Sequence, residues 1–434
     1  MSPNDASRTP RAMGLATLAA VGVNSIIGAG FYLLPAQYFA TAGAWAPIVL
    51  LAMGVLMFAI ALCFAEVGSR FRENGGAYLY VRSAFGPLVG FEIGWVLYLS
   101  RVISTASMFA ALILLLEVTT GRQFDLAATT VVVIALTILV AAFSVMGGRT
   151  NAGLLTTLAV VKITPVVILI GLAIPHLDVA ALRPSASLTW QAGVAAAAMG
   201  MFSYAGFENL AIPAGEARDP QRDVPRALVT SLAAGVVLLV GANAIAIGLV
   251  PDLASSTLAL ADAARAVLGP TGWWVMAATA MLAVVGSNAG ALLANSRLLQ
   301  SLSDQGDISA WFGRRSARFG TPVVAIALSS ILVLALALTG TFQSLVVLAV
   351  GTRVLVYMGV ALAAIRLRRA DREGTAPPAG YRMPAAPLVL AIVMLGCGII
   401  LLQMTTPQAV AIALGLAAGL MLFVVRRAAS GRTP

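Results

Sequence analysis

Apolar residues fill most of the chain in long runs, separated by short polar stretches rich in arginine, glycine and proline. A run of about twenty apolar residues is long enough to cross a bilayer as a helix. Twelve such segments are predicted, at 12–41, 44–68, 87–117, 126–147, 151–175, 190–213, 226–250, 271–299, 321–339, 342–368, 386–404 and 408–426. They are numbered 1 to 12 below. Polar tails are expected at 1–11 and 428–434, with no room between for a sizeable soluble domain. No cleavable signal is visible before Met13, and the glycines and polar atoms of segment 1 argue that it stays as a helix.

Composition turns this pattern into a fold class. The chain is 60% hydrophobic and only 10% charged, against about 25% charged in a soluble domain. An all-α polytopic membrane protein follows. With the N-terminus inside, twenty-one arginines fall on the cytoplasmic side and only Arg122, Arg183 and Arg265 outside. That bias predicts both termini in the cytoplasm and residence in the cytoplasmic (inner) cell membrane. The net charge of +10 is therefore topological. It does not point to nucleic acid, because the arginines sit in short loops without interleaved aromatics. Cys63 and Cys397 fall inside apolar segments and read as inert buried thiols. His176 is the single histidine, so neither a metal site nor a cofactor is expected.

Two segments are poorly suited to being continuous helices. Segment 1 carries Gly22, Asn24, Ser25, Gly28 and Gly30, then Pro35. Each glycine costs about 1 kcal/mol of helix propensity relative to alanine. Close helix packing is one reading; a broken helix is the sharper one. Unwound backbone at membrane depth is tolerated where it lines a cavity or is buried in protein. Segment 6 carries Phe202, Ser203, Tyr204, Ala205, Gly206, Phe207, Glu208 and Asn209, again with a glycine at mid-depth. Two interrupted helices, five segments apart and oppositely oriented, predict an inverted-repeat transporter with its site at the repeat interface. A half-helix N-terminus suits a carboxylate, and a half-helix C-terminus offers carbonyls to an ammonium.

The residues also carry a family resemblance. Four stretches, in order, resemble the amino acid–polyamine–organocation (APC) superfamily of amino acid transporters: Gly22 to Pro35; Phe64 through Glu66, Gly75, Gly76 and Tyr78 to Phe91; Phe202 through Gly206, Glu208 and Glu216 to Arg226; and Asn295 through Asp304 to Pro322. The resemblance implies the LeuT-like fold: repeats at 12–175 and 190–370, discontinuous helices 1 and 6, and peripheral helices 11 and 12 at 385–427. It implies a central site worked by alternating access. By position, Ser25, Ile27, Gly28, Ala29 and Gly30 would receive the substrate carboxylate. The carbonyls near Val23 and of Phe202, Ser203 and Ala205 would hold the α-ammonium. Tyr204 and Phe207 are candidates for the gate and side-chain pocket, Thr105 and Met108 for the pocket lining, and Ser287 and Asn288 for its segment-8 wall.

Charge inside the membrane changes the picture most. Of the 27 basic residues, 26 are arginine, and the single lysine is Lys162, deep in segment 5. An ammonium at that depth costs about 2.5–3.5 kcal/mol on insertion scales. It lies about 20 Å along the helix from Arg149 at 1.5 Å per residue, too far to snorkel. Sodium-coupled relatives of this fold hold an ion between segments 1 and 8, close to segment 5, and the resemblance places the Lys162 ammonium there. The expectation is sodium-independent, proton-coupled symport, with a permanently paired structural lysine as the alternative. Glu208 is the rival proton carrier, or else a cap on the local break. Glu66 reads as a helix-end residue, and Glu92 as a partner for a nearby arginine.

Arg101 in segment 3 and Arg353 in segment 10 form a possible charge pocket, or pair with Glu92 or Glu208 to hold the bundle. Gly86, Gly90 and Gly94, with Gly415 and Gly419, permit close helix approach. A monomer and a homodimer both remain open. The expected activity is secondary transport of L-amino acids, neutral by default, with lipid, substrate and protons as partners. A sodium-independent exchanger and a non-transporting amino acid sensor are the alternatives. A hydrolase is disfavoured because no Ser/His pair lies at depth.

Overall fold

A computed structural model describes residues 13–73, 75–146, 148–184, 186–211 and 217–429. The predicted tail at 1–11 and most of that at 428–434 lie outside the described residues. Among the described residues the regular elements are all helices, with one isolated bridge between Met13 and Ala217. Among the described residues eight helices are long and apolar enough to cross a membrane, and Leu15–Ile26, Val323–Thr339 and Ala386–Leu402 are shorter apolar ones. The remaining predicted segment, 190–213, is α-helical over Trp190–Tyr204 and makes a short 3-10 helix over Phe207–Ala211.

Local chemistry sets the ends. Segment 3 runs Pro87–Thr120, with proline at its first turn and left-handed Gly121 at its end, the usual asymmetry of a helix. Thr341 and Ser344 form a reciprocal cap on segment 10, Phe342–Arg372. Segment 8 belongs to a longer run, Ala259–Asp304, bent where Gly269 takes φ +67° before Pro270. The start read from hydropathy, 271, falls directly after this glycine–proline bend.

Segment 10 lies along segment 3, segment 7 along segment 2, and the first half of segment 1 is enclosed by segments 5, 7 and 8. Segments 4 and 12 instead leave most of their apolar side chains exposed, Leu126, Val131, Ile138, Leu414 and Val425 among them. Such a surface is stable against lipid rather than water. The small-residue stripes are used within the chain. Gly90 packs on the backbone of Arg82 and Gly94 on Tyr78. In segment 12, Gly415 accepts from Trp95 Nε1 at 2.9 Å, and Gly419 faces Trp95 and Glu92. Cys63 and Cys397 are both buried free thiols.

Polar residues at the arginine-rich end tie loops to the bundle. Glu66, buried at the end of segment 2, accepts from Arg368 Nε at 2.5 Å and from Met383 N at 2.9 Å. Tyr78 donates to Asp307 Oδ2 at 2.5 Å, and Arg82 pairs with the same oxygen. These contacts pin the connections after segments 2, 8 and 10. They match the helix-end role read for Glu66.

Candidate functional site

Both predicted interruptions are present, and they touch. The first helix of segment 1 ends at Ile26, Ile27 and Gly28 leave helical geometry, and a second helix starts at Ala29. Backbone bonding closes with Gly28 N donating to Ile26 O at 2.9 Å and resumes with Phe31 N to Gly28 O at 3.2 Å. The N–H groups of Ala29 and Gly30 thus stand at a helix start, where no preceding helical carbonyl serves them. Segment 6 ends its helix at Tyr204, passes through extended Ala205 and Gly206 at φ +120°, then makes a short 3-10 helix over Phe207–Ala211. A Cβ on Gly206 would lie 2.5 Å from the carbonyl oxygen of Ser25. Glycine is needed there for its φ and for the approach of two backbones.

Lys162 reaches this junction from segment 5. Its ammonium donates to Asn24 O at 2.6 Å, Ile27 O at 2.8 Å and Ser287 Oγ at 3.0 Å, and the residue is fully buried. The two carbonyls belong to the end of the first half-helix, where the macrodipole is negative. A hydrogen bond to a charged group contributes about 1.5–3 kcal/mol. Three of them offset the insertion cost of one ammonium. The same hydroxyl of Ser287 lies 3.2–3.3 Å from both carbonyls, so segments 1, 5 and 8 meet at one cation.

The breaks themselves border a cavity of about 40 Å³, far smaller than an amino acid. Segments 1, 3, 6, 8 and 10 line it through Ser25, Thr105, Met108, Phe202, Ser287 and Arg353, with Arg101, Ser104 and Asn209 completing its polar wall. Arg353 Nε lies 3.1 Å from Glu208 Oε1, an ion pair that is close but not aligned as a hydrogen bond. Glu208 Oε2 accepts from Gly206 N at 2.9 Å. Arg353 Nη2 donates to Ser104 Oγ at 3.0 Å, and its Nη1 has no partner. Arg101, read as part of a charge pocket or as the partner of a carboxylate, makes no ion pair among the described residues. It donates instead to Asn295 Oδ1 at 2.5 Å, to Asn209 Oδ1, and to Ala291 O at 3.4 Å. Glu92, its other expected partner, keeps both oxygens free of hydrogen bonds, because it turns toward Gly419 in segment 12.

The other predicted residues divide by the face they occupy. Met108 lies over Gly28, its Cε 2.9 Å from where a Cβ would be, so it covers the start of the second half-helix. Ser25 donates to Val21 O in its own helix at 2.9 Å. Ser203 bonds Tyr38 at 2.6 Å, and Gly30 packs on Ser203 and Phe202. Tyr204 points to segment 2, where it donates to Leu50 O at 2.9 Å. Phe207 stacks against Phe64 and Tyr357. Neither borders the cavity, whereas Phe202 does, edge-on to Phe342. Val23 and Ala29 are core residues, and Asn288 is buried with its amide unpaired.

Ser104, Asn209, Ala291 and Asn295 escaped prediction, although a signal exists for all but Asn209. Arg101, Ser104, Thr105 and Met108 fall at i, i+3, i+4 and i+7 of one helix, and Ser287, Ala291 and Asn295 at i, i+4 and i+8 of another.

Comparison with known proteins adds a family. The profile described as amino acid permease matches residues 13–425. The branched-chain amino acid permease BcaP of Lactococcus lactis is 27% identical over 406 residues, 87% of this chain and 86% of that protein. Cationic amino acid transporter 9, chloroplastic, of Arabidopsis thaliana is 30% identical over 273 residues, 58% of this chain and 48% of that protein. The chain thus spans about half the length of this second relative.

Proposed function

This chain belongs to the amino acid permease family, a family of multi-pass membrane transporters rather than enzymes, and on that premise we propose that it is a sodium-independent, proton-coupled symporter of L-amino acids. In this reading twelve helices cross the cytoplasmic membrane with both termini inside. Segments 1–5 and 6–10 form the two inverted repeats, and segments 11 and 12 stay peripheral. The substrate carboxylate meets the N–H groups of Ala29 and Gly30, and its ammonium meets the carbonyls exposed at the breaks. Alternating access moves it through.

One observation carries the proposal: the Lys162 ammonium, bonded to Asn24 O, Ile27 O and Ser287 Oγ, sits at the carbonyl end of the broken helix. A cation built into the chain there leaves no task for sodium. It also gives the site a proton that can leave when the surrounding helices separate and water enters, since a lysine, unlike an arginine, can lose its proton. Glu208 is engaged on both oxygens, by Gly206 N and Arg353, and its role here is to hold the segment-6 break. The names of the two relatives carry a branched-chain and a cationic class, so membership alone does not choose the side chain. The neutral default therefore rests on the sequence alone.

The test is uptake of labelled amino acids into proteoliposomes. Replacing sodium by choline is expected to leave uptake unchanged, and an inwardly directed proton gradient is expected to raise it. Uptake that requires sodium refutes the proposal. Flux seen only against an internal amino acid would identify an exchanger, and binding without flux a sensor.

A further inference from the structure

The charges around the cavity do not balance. Arg101 and Arg353 both border it and both are buried. Glu208 neutralises Arg353. Among the described residues Arg101 hydrogen-bonds only neutral oxygens, the side-chain carbonyls of Asn209 and Asn295 and the backbone of Ala291, and the one carboxylate that attracts it, Glu208, is already paired with Arg353. Arg353 also leaves Nη1 without a partner. Two buried guanidinium groups sharing one carboxylate leave a positive charge uncompensated, which is costly. Two asparagine carbonyls orient Arg101 without neutralising it.

We propose that the site takes an amino acid bearing a second carboxylate, whose side chain ends on Arg101 and the free edge of Arg353. The inference rests on the amino acid transport reading and replaces its neutral default with an acidic side chain. The planar guanidinium is the side chain best suited to hold a carboxylate through paired N–H donors. Its place along segment 3 fits. Met108 covers Gly28, where the α-carboxylate is received, and Arg101 lies seven residues earlier, about 10 Å down the helix. Arg101, Met108 and Ser25 nevertheless border one small cavity, so a single short ligand can touch both ends of it. Thr105, between Arg101 and Met108, borders the same cavity. The arrangement also discriminates: a lysine or arginine substrate would bring a second cation to an uncompensated one.

The experiment compares L-glutamate and L-aspartate with L-glutamine, L-asparagine, L-leucine and L-lysine as competitors of counterflow and as stabilisers in thermal unfolding of the purified protein. The acids are expected to act at concentrations at least tenfold below those of their amides, with lysine weakest. Arg101→Gln is expected to make glutamate and glutamine equivalent, and Arg101→Lys to restore part of the preference. Amides or leucine matching the acids in the unmodified protein would overturn the acidic assignment while leaving amino acid transport intact. No effect and no flux with any of the six would overturn both. The unmodified protein decides the matter even if neither variant folds.

Discussion

Gly206 and Ser25 bring two broken helices into backbone contact: a Cβ on the glycine would stand 2.5 Å from the serine carbonyl oxygen. The contact joins segment 6 to segment 1 at the level of the cavity, and it combines an obligatory approach with φ +120°. Gly206→Ala is therefore expected to cost at least about 1–3 kcal/mol and to abolish transport even where folded protein is recovered. Thermal unfolding and liposome uptake check this. Wild-type flux in Gly206→Ala would mean that the two breaks need not touch.

The interruptions themselves are legible in the sequence because glycines and small polar residues clustered at membrane depth do not suit a continuous apolar helix. The phase of each helix around its axis is harder to read. Phe202 and Tyr204 are two residues apart, about 200° around a helix, so only one can face the cavity. Which one is decided by where the helix ends, and that depends on Gly206 meeting Ser25. Partners distant in sequence are equally hidden. The oxygens that hold Arg101 come from residues 108 and 194 positions away. The position of Lys162 is legible from its depth, whereas its three partners emerge only from the packing of segments 1, 5 and 8.

The Glu208–Arg353 pair is buried on both sides. Glu208→Gln leaves the guanidinium without its counter-charge and is expected to cost about 3–5 kcal/mol. Adding Arg353→Gln should return more than about 1 kcal/mol of that loss, the coupling a double-mutant cycle isolates. Stability of the four proteins in detergent measures it, and strictly additive losses would contradict the ion pair.

A cavity of about 40 Å³ does not admit an amino acid until something moves. Met108 is the flexible side chain over Gly28. Met108→Ala is expected to improve competition by substrates with bulkier side chains relative to short ones, at a stability cost of about 2 kcal/mol. Competition by a homologous series reads out the change. An unaltered size preference would place the moving part elsewhere.

The Lys162 ammonium, held by Asn24 O and Ile27 O at the break, is proposed to take the place of sodium. The most direct test is uptake by proteoliposomes containing Lys162→Ala, driven by a pH gradient, beside the unmodified protein in sodium and in choline. Equal wild-type uptake in the two media and loss of pH-driven uptake in Lys162→Ala are expected. Normal, pH-driven uptake by Lys162→Ala, or wild-type uptake that fails without sodium, would contradict this role of Lys162.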